Sequence, residues 1–179
     1  MKNNAYVLLF FFILILLGCA SVNVTVHYDQ ATNFGHYQTF YFVKPTPQQK
    51  AGAGALRNPI FTKEIMDEIK STMEGKGFVE ANTQKDADLW MVFYAFVQQH
   101  REYVPPAYRV GRWGHRVWQV KPGQVIRYKE GTLVIDMVDN KNQELVWQGV
   151  GTGILDRMNP TENLLEASEK ILEKFPPEQ

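Results

Sequence analysis

The chain has one cysteine, Cys19, in 179 residues. That excludes an internal disulfide framework and any multi-cysteine metal site. Net charge is just as scarce: 19 basic side chains balance 19 acidic ones. No overall field therefore marks a nucleic-acid binder, and electrostatic function has to come from local clustering. A long apolar run is missing too. Residues 5–17, AYVLLFFFILILL, fall several short of the about 20 that a permanent transmembrane helix needs. No serine elbow, HExxH pair or Asp-rich metal loop occurs. His27 and His36 lack the carboxylate or cysteine spacing that would complete a metal site, and they read as surface or turn histidines. The spaced glycines Gly149, Gly151 and Gly153 continue a strand-like run instead of opening a helix, which argues against a phosphate loop and suggests close approach of a neighbouring backbone. Asp136 and Asp139 are the candidate paired carboxylates, but one lies mid-strand and the other starts a turn, so they project from different faces. Neither a catalytic residue nor a cofactor nor a metal is expected.

What is present begins with the head of the chain. Lys2 precedes the apolar run, which is the layout of a secretory signal. Its end, Leu16-Leu17-Gly18-Cys19-Ala20, resembles a lipobox, the processing signal of bacterial lipoproteins. The resemblance implies cleavage after residue 18, a diacylglycerol on the Cys19 sulfur and a further acyl chain on its amine. Two or more such chains suffice for durable attachment, at about 0.8 kcal/mol per buried methylene. An ordinary cleaved signal with a chance cysteine and an uncleaved anchor are the alternatives. Ala20, where Asp would suggest inner-membrane retention, favours an outer membrane facing the periplasm. The expected organisation is a signal peptide at 1–18, lipidated Cys19 with a short tether at 19–21, and one domain at 22–176. Ala20 and Ser21 alone separate the cysteine from the first strand-like residue, so at about 3.3–3.6 Å per extended residue the domain sits within roughly 10 Å of the bilayer.

The centre of that domain is a hairpin at residues 131–151. Two β-rich runs flank Asp139-Asn140-Lys141-Asn142, and a three-residue loop with Asn142 at positive φ would pair Met137 with Leu145, Ile135 with Trp147 and Leu133 with Gly149. The other face carries Asp136 and Gln148. Residues 22–28 alternate as a half-buried strand with Val22, Val24, Val26 and Tyr28 on one side. Residues 39–43, TFYFV, form a second strand, and residues 89–97, apolar on both faces, a central one. Asn58-Pro59 caps a helix with the stripe Phe61, Ile65, Ile69, Met73, widened by Met66 and stopped at Gly75 and Gly77. Asn159-Pro160 opens a second, with Glu162 placed for a capping box and Leu164, Ala167, Ile171 and Phe175 buried. The low-hydrophobicity run at 44–57 is a connection. Strand, helix, strand over 39–97 suggests a parallel pair. The expected fold is an α+β two-layer sandwich: a mixed sheet of about five strands with two helices on one face.

YDQATNF at 28–34, YQTFYF at 37–42, NPIFTKEIMDEI at 58–69, KGF at 76–78, ADLWMVF at 87–93, GTLVIDMVD at 131–139 and ELVWQGVG at 144–151 together resemble a bacterial lipoprotein family, domain of unknown function 4136. The family offers no catalytic residue to carry over.

A basic and aromatic insertion spans 100–129. Arg101, Arg109, Arg112, Arg116, Lys121, Arg127 and Lys129 stand against Glu102 alone, interleaved with Tyr103, Tyr108, Trp113, Trp118 and Tyr128. Such interleaving suits anionic groups through ion pairs and stacking. The candidate binding surface is Arg101, Tyr103, Tyr108, Arg109, Arg112, Trp113, Arg116 and Trp118. Its expected partner is an envelope glycan, a lipid head group or a protein, and not nucleic acid. The competing reading is a structured loop whose aromatics cover the sheet face that the helices leave bare. The function expected is a non-catalytic, membrane-anchored binding or assembly module of the bacterial envelope. The runner-up is a carrier or sensor of a small apolar ligand held between helices and sheet.

Overall fold

Alternation of apolar residues at period two builds a six-stranded mixed sheet in the computed structural model, which describes residues 22–45, 58–105, 107–110, 117–155 and 160–177. At 107–110 and 117–121 the description is of backbone alone. The strands are β1 (Asn23–Tyr28), β2 (Thr39–Phe42), β3 (Val79–Glu80), β4 (Leu89–Val104), β7 (Gln124–Asp139) and β8 (Leu145–Ile154), in the order β1-β8-β7-β4-β2-β3. A separate two-stranded ladder pairs β5 (Ala107–Val110) with β6 (Val117–Lys121). The parallel pair expected across the first helix is present between β2 and β4, and β3 adds a second parallel partner to β2.

Both helices cover one sheet face. Ile65, Ile69 and Met73 of α1 (Pro59–Gly75) share a single buried cluster with Leu164, Ala167, Ile171 and Leu172 of α2 (Pro160–Leu172). The odd-numbered residues Leu89, Met91, Phe93 and Ala95 of β4 and Leu133, Ile135 and Met137 of β7 complete that cluster. The even-numbered set, including Trp90, Val92, Tyr94 and Phe96, faces the other way and is half-buried. Local signals set the helix ends. Asn58 Oδ1 accepts from the Ile60 N–H at 3.0 Å ahead of Pro59, satisfying an orphan amide. At the far end Gly77 takes φ 90, its N–H bonds the Glu74 carbonyl, and the Phe78 N–H bonds the Met73 carbonyl. That is a Schellman closure with an apolar contact across it. Asn159 lies outside the described residues, and with it the second capping box.

Two expectations change. The hairpin closes around four residues, with Asp139 N–H on the Glu144 carbonyl and Gln143 N–H on the Asp139 carbonyl, and Gln143, not Asn142, takes φ 57. The cause is the Asp139 carboxylate, which accepts from the N–H groups of Lys141 (2.7 Å) and Asn142 (2.9 Å) and winds the turn one residue further. Met137 consequently pairs with Trp147, Ile135 with Gly149 and Leu133 with Gly151. This register differs by two residues from the expected one, so the side chains from Trp147 onward keep their faces. Before Trp147 a bulge changes them: Leu145 pairs with Val138 and is exposed, and Val146, expected on the other face, joins the buried cluster.

The second change concerns the insertion. The central strand does not stop at residue 97. β4 and β7 are 16 residues each and stay paired to Val104 and Gln124. Beyond the last β8 pair, Glu130 with Ile154, residues 99–104 and 124–129 are thus a two-stranded ribbon running past the sheet body, and these stretches are β-structure instead of a loop.

Candidate binding surface

The ribbon sorts the insertion's side chains by face. Its register pairs Gln99 with Lys129, Arg101 with Arg127 and Tyr103 with Val125, all on the side that continues the helix-covered face. The other side carries His100, Glu102, Ile126, Tyr128 and Glu130. There the His100 ring stacks on Tyr128 at 5.3 Å, and His100 Nε2 lies 3.8 Å from Glu130 Oε1. One ribbon face therefore gathers Arg101, Arg127 and Lys129, all exposed, while the acidic residues Glu102 and Glu130 stand on the opposite one. Like charges directly across a ladder repel. That arrangement suits an anionic partner.

Of the surface expected from sequence, Arg101 and Tyr103 are on this face, and Tyr103 is 64% exposed. Tyr108 and Arg109 fall in β5 and Trp118 in β6, where Arg109 and Trp118 are register partners. Arg112, Trp113, Arg116 and Cys19 lie outside the described residues. The ladder brings in two residues that sequence alone left scattered, Arg127 and Lys129.

At the other end of the sheet the resemblance motifs converge on a hydrogen-bonded clamp. Asp88 Oδ2 accepts from the N–H groups of Gln38 (2.9 Å) and Thr39 (3.0 Å) and from the Thr39 hydroxyl (2.9 Å). Asn140 Nδ2 donates to the Ala87 carbonyl at 2.7 Å, and the Tyr37 hydroxyl donates to Asp139 Oδ2 at 2.7 Å. Burial, with the Asp139 carboxylate beside it, pushes the Tyr37 hydroxyl well above the usual tyrosine range. A polar cleft of about 290 Å³ opens here beside Asp29, His36 and Lys141. Asp136 stands on the opposite sheet face from Asp139, accepting from Gln148 Nε2 (2.7 Å) and the Tyr94 hydroxyl (3.1 Å). Among the described residues no group of three or more His, Cys, Asp or Glu is placed to hold a metal ion.

These carboxylates set the acid sensitivity. Burial raises the pKa of Asp88 and Asp139, but the hydrogen bonds they accept outweigh it and both lie below 3.8. Their contribution to stability is present above 3.8 and is lost as pH falls through the lowered folded values. Burial drives Asp136 the other way, above 3.8; its contribution is present below 3.8 and is lost as pH rises through the raised value. The urea midpoint should fall between about pH 5 and pH 2. In Asp88→Asn that fall should be visibly shallower, and an unchanged slope would dismiss the clamp as its source.

An apolar cleft of about 260 Å³ lies between α2 and the sheet, lined by Val22, Gly131, Leu133, Gly153, Leu155 and Leu164 among others. Among the described residues no helix is long and apolar enough to cross a membrane.

Comparison with known proteins gives the fold a context. No curated protein matches. A PDZ domain protein from Parabacteroides distasonis ATCC 8503 is similar in structure, with a TM-score of 0.57 and 14% identity over 94% of this chain. The match covers 39% of that protein's chain, so this chain spans well under half of it. A DUF4136 family protein from Bacteroides thetaiotaomicron VPI-5482 aligns with a TM-score of 0.53 and 18% identity, over 87% of this chain and 96% of its own. At such identities the likeness is one of fold. The model of the family described as domain of unknown function (DUF4136) matches residues 24–177, from within β1 to beyond the end of α2, and the chain belongs to that family.

Proposed function

We propose that this protein is a lipid-anchored envelope lipoprotein, held through Cys19 and more at home on an outer membrane facing the periplasm than on an inner one. Its work is binding or assembly without catalysis, engaging an anionic partner through the basic face of the β4–β7 ribbon. The observation that carries the reading is the direct register pairing of Arg101 with Arg127, with Lys129 two residues along on the same face. Asp136 and Asp139 give little support to an enzyme, since they stand on opposite faces and are each committed to fixed hydrogen bonds. The alternative, a carrier of a small apolar ligand, is weaker. The cleft between α2 and the sheet, at about 260 Å³, is below the ~300–1,000 Å³ of typical small-molecule sites.

Two measurements on the full-length protein test the proposal. A labelled fatty acid should be incorporated in cells and lost in Cys19→Ala, with the variant leaving the detergent phase. Binding to heparin, used as a soluble polyanion, should weaken at least tenfold in Arg101→Glu/Arg127→Glu and fade with salt, as screened charge pairs do. Equal heparin affinity of wild type and variant would remove the basic face from the proposal.

A further inference from the structure

We infer that the ribbon docks on the anionic surface of the same bilayer that holds Cys19. This rests on the proposed lipidation and basic face, and narrows the anionic partner to a membrane. The argument begins with the register. Asn23 pairs with Thr152, Thr152 with Thr132, and Thr132 with Phe96. Val22 therefore stands level with Val97 and Gly131, one pair short of Glu130 with Ile154, beyond which the ribbon departs. Because β1 is antiparallel to β8, β8 to β7 and β7 to β4, the start of β1 points the way β4 runs. The start of β1 and the ribbon therefore lie at the same end of the sheet.

Their lengths differ. The ribbon continues for six residue pairs, from Gln99 and Lys129 to Val104 and Gln124, about 20 Å at ~3.3 Å per residue. The three residues from Cys19 to Ser21 reach about 10 Å. An arm that outreaches its tether meets the head-group layer.

Its face is ordered for that layer. Moving outward, the pairs are Gln99 with Lys129, Arg101 with Arg127, then Tyr103 with Val125. Cations come first, and near the outer end of the ribbon, before the chain passes on to β5 and β6, stand a tyrosine 64% exposed and a valine 58% exposed. Basic side chains suit lipid phosphates, and an exposed Tyr suits the interface where one end is apolar and the other wet.

The test uses full-length, lipidated protein in vesicles of phosphatidylethanolamine with or without phosphatidylglycerol. An environment-sensitive fluorophore is attached in Tyr103→Cys or, as a control at the opposite end of the sheet, in Lys141→Cys; Cys19 is blocked by its own lipid. With phosphatidylglycerol present, the label at 103 should blue-shift and lose at least threefold of its quenching by aqueous iodide, and the label at 141 should not. Adding Arg101→Glu/Arg127→Glu should abolish the change at 103, with circular dichroism and melting temperature confirming the fold. Equal iodide access at 103 in both vesicle types, with lipid found on Cys19 by mass, overturns docking alone. Protection of 103 by heparin but not by phosphatidylglycerol keeps the basic-face reading and overturns the membrane as partner. A protein mass without lipid overturns both.

Discussion

Replacing Trp147 with Ala should cost about 3–5 kcal/mol, the range for truncating a large buried aromatic. At roughly 2–4 °C per kcal/mol for a domain of this size, melting should move down by about 10 °C. Trp147 is fully buried near the start of β8, its ring 5.2 Å from that of Phe175 at 72°. Phe175 in turn stacks edge-on against Phe34 at 5.8 Å and lies 5.4 Å from Phe78. Truncation would open a void beside Phe175, which ties Phe34 and Phe78 from two further segments into the same cluster, and rigid elements cannot collapse into such a space. Trp147→Phe should behave very differently. The indole Nε1–H is buried with no acceptor among the described residues, and a buried unsatisfied donor costs about 1–3 kcal/mol. Phe removes that donor while keeping most of the ring, so its loss should be near 1 kcal/mol by the same reckoning. Thermal melts of both variants decide the matter. Equal loss in the two would mean that the orphan N–H contributes nothing.

Gly149→Val should be the second large effect, at about 3 kcal/mol, the upper end of ordinary overpacking. A β-carbon at Gly149 would overlap Ile171 Cγ2 and Trp147 Cη2. One at Gly151 would stand 2.9 Å from Ile171 Cδ1 and 3.4 Å from the Ala167 β-carbon. The bare backbone of these glycines is what lets α2 rest directly on β8. The cost should therefore be coupled to α2: in Gly149→Val/Ile171→Ala, part of the damage is relieved, and the double-mutant cycle should show an interaction of at least about 1 kcal/mol. Strict additivity of the two losses would mean that Gly149 acts through strand conformation and not through the helix. The same close approach explains why the GVGTG run carries no phosphate chemistry, since two of its glycines are occupied by a helix.

The caps, the helix stripes and the alternation of β1, β4, β7 and β8 were legible because each depends on neighbours within a few residues. Asn58 before Pro59 needs nothing distant to start a helix, and Ile65, Ile69 and Met73 can share a core only at helical spacing. The hairpin turn was less legible. The preference of Asn for positive φ pointed to residue 142, while the Asp139 side chain, bonded to two turn amides, moved the left-handed residue to Gln143. Face assignments from Trp147 onward survived because the resulting shift is even, while the bulge moved Leu145 and Val146 from theirs.

The ribbon was the least legible element. From Gln98 to Val104 neither face is buried against a helix, so no hydrophobic period marks a strand, and a basic, aromatic segment resembles a loop. What the sequence determined by itself is the order of elements, which faces are apolar, and a cysteine set after a greasy run, all short-range patterns of composition. Only the tertiary structure decided that Arg101 and Arg127, 26 residues apart in number, are directly paired, and that the start of β1 and the ribbon lie at one end of the sheet. Pairing across a ladder is fixed by hydrogen bonds between distant segments, and no local pattern of residue types encodes which two cations will meet.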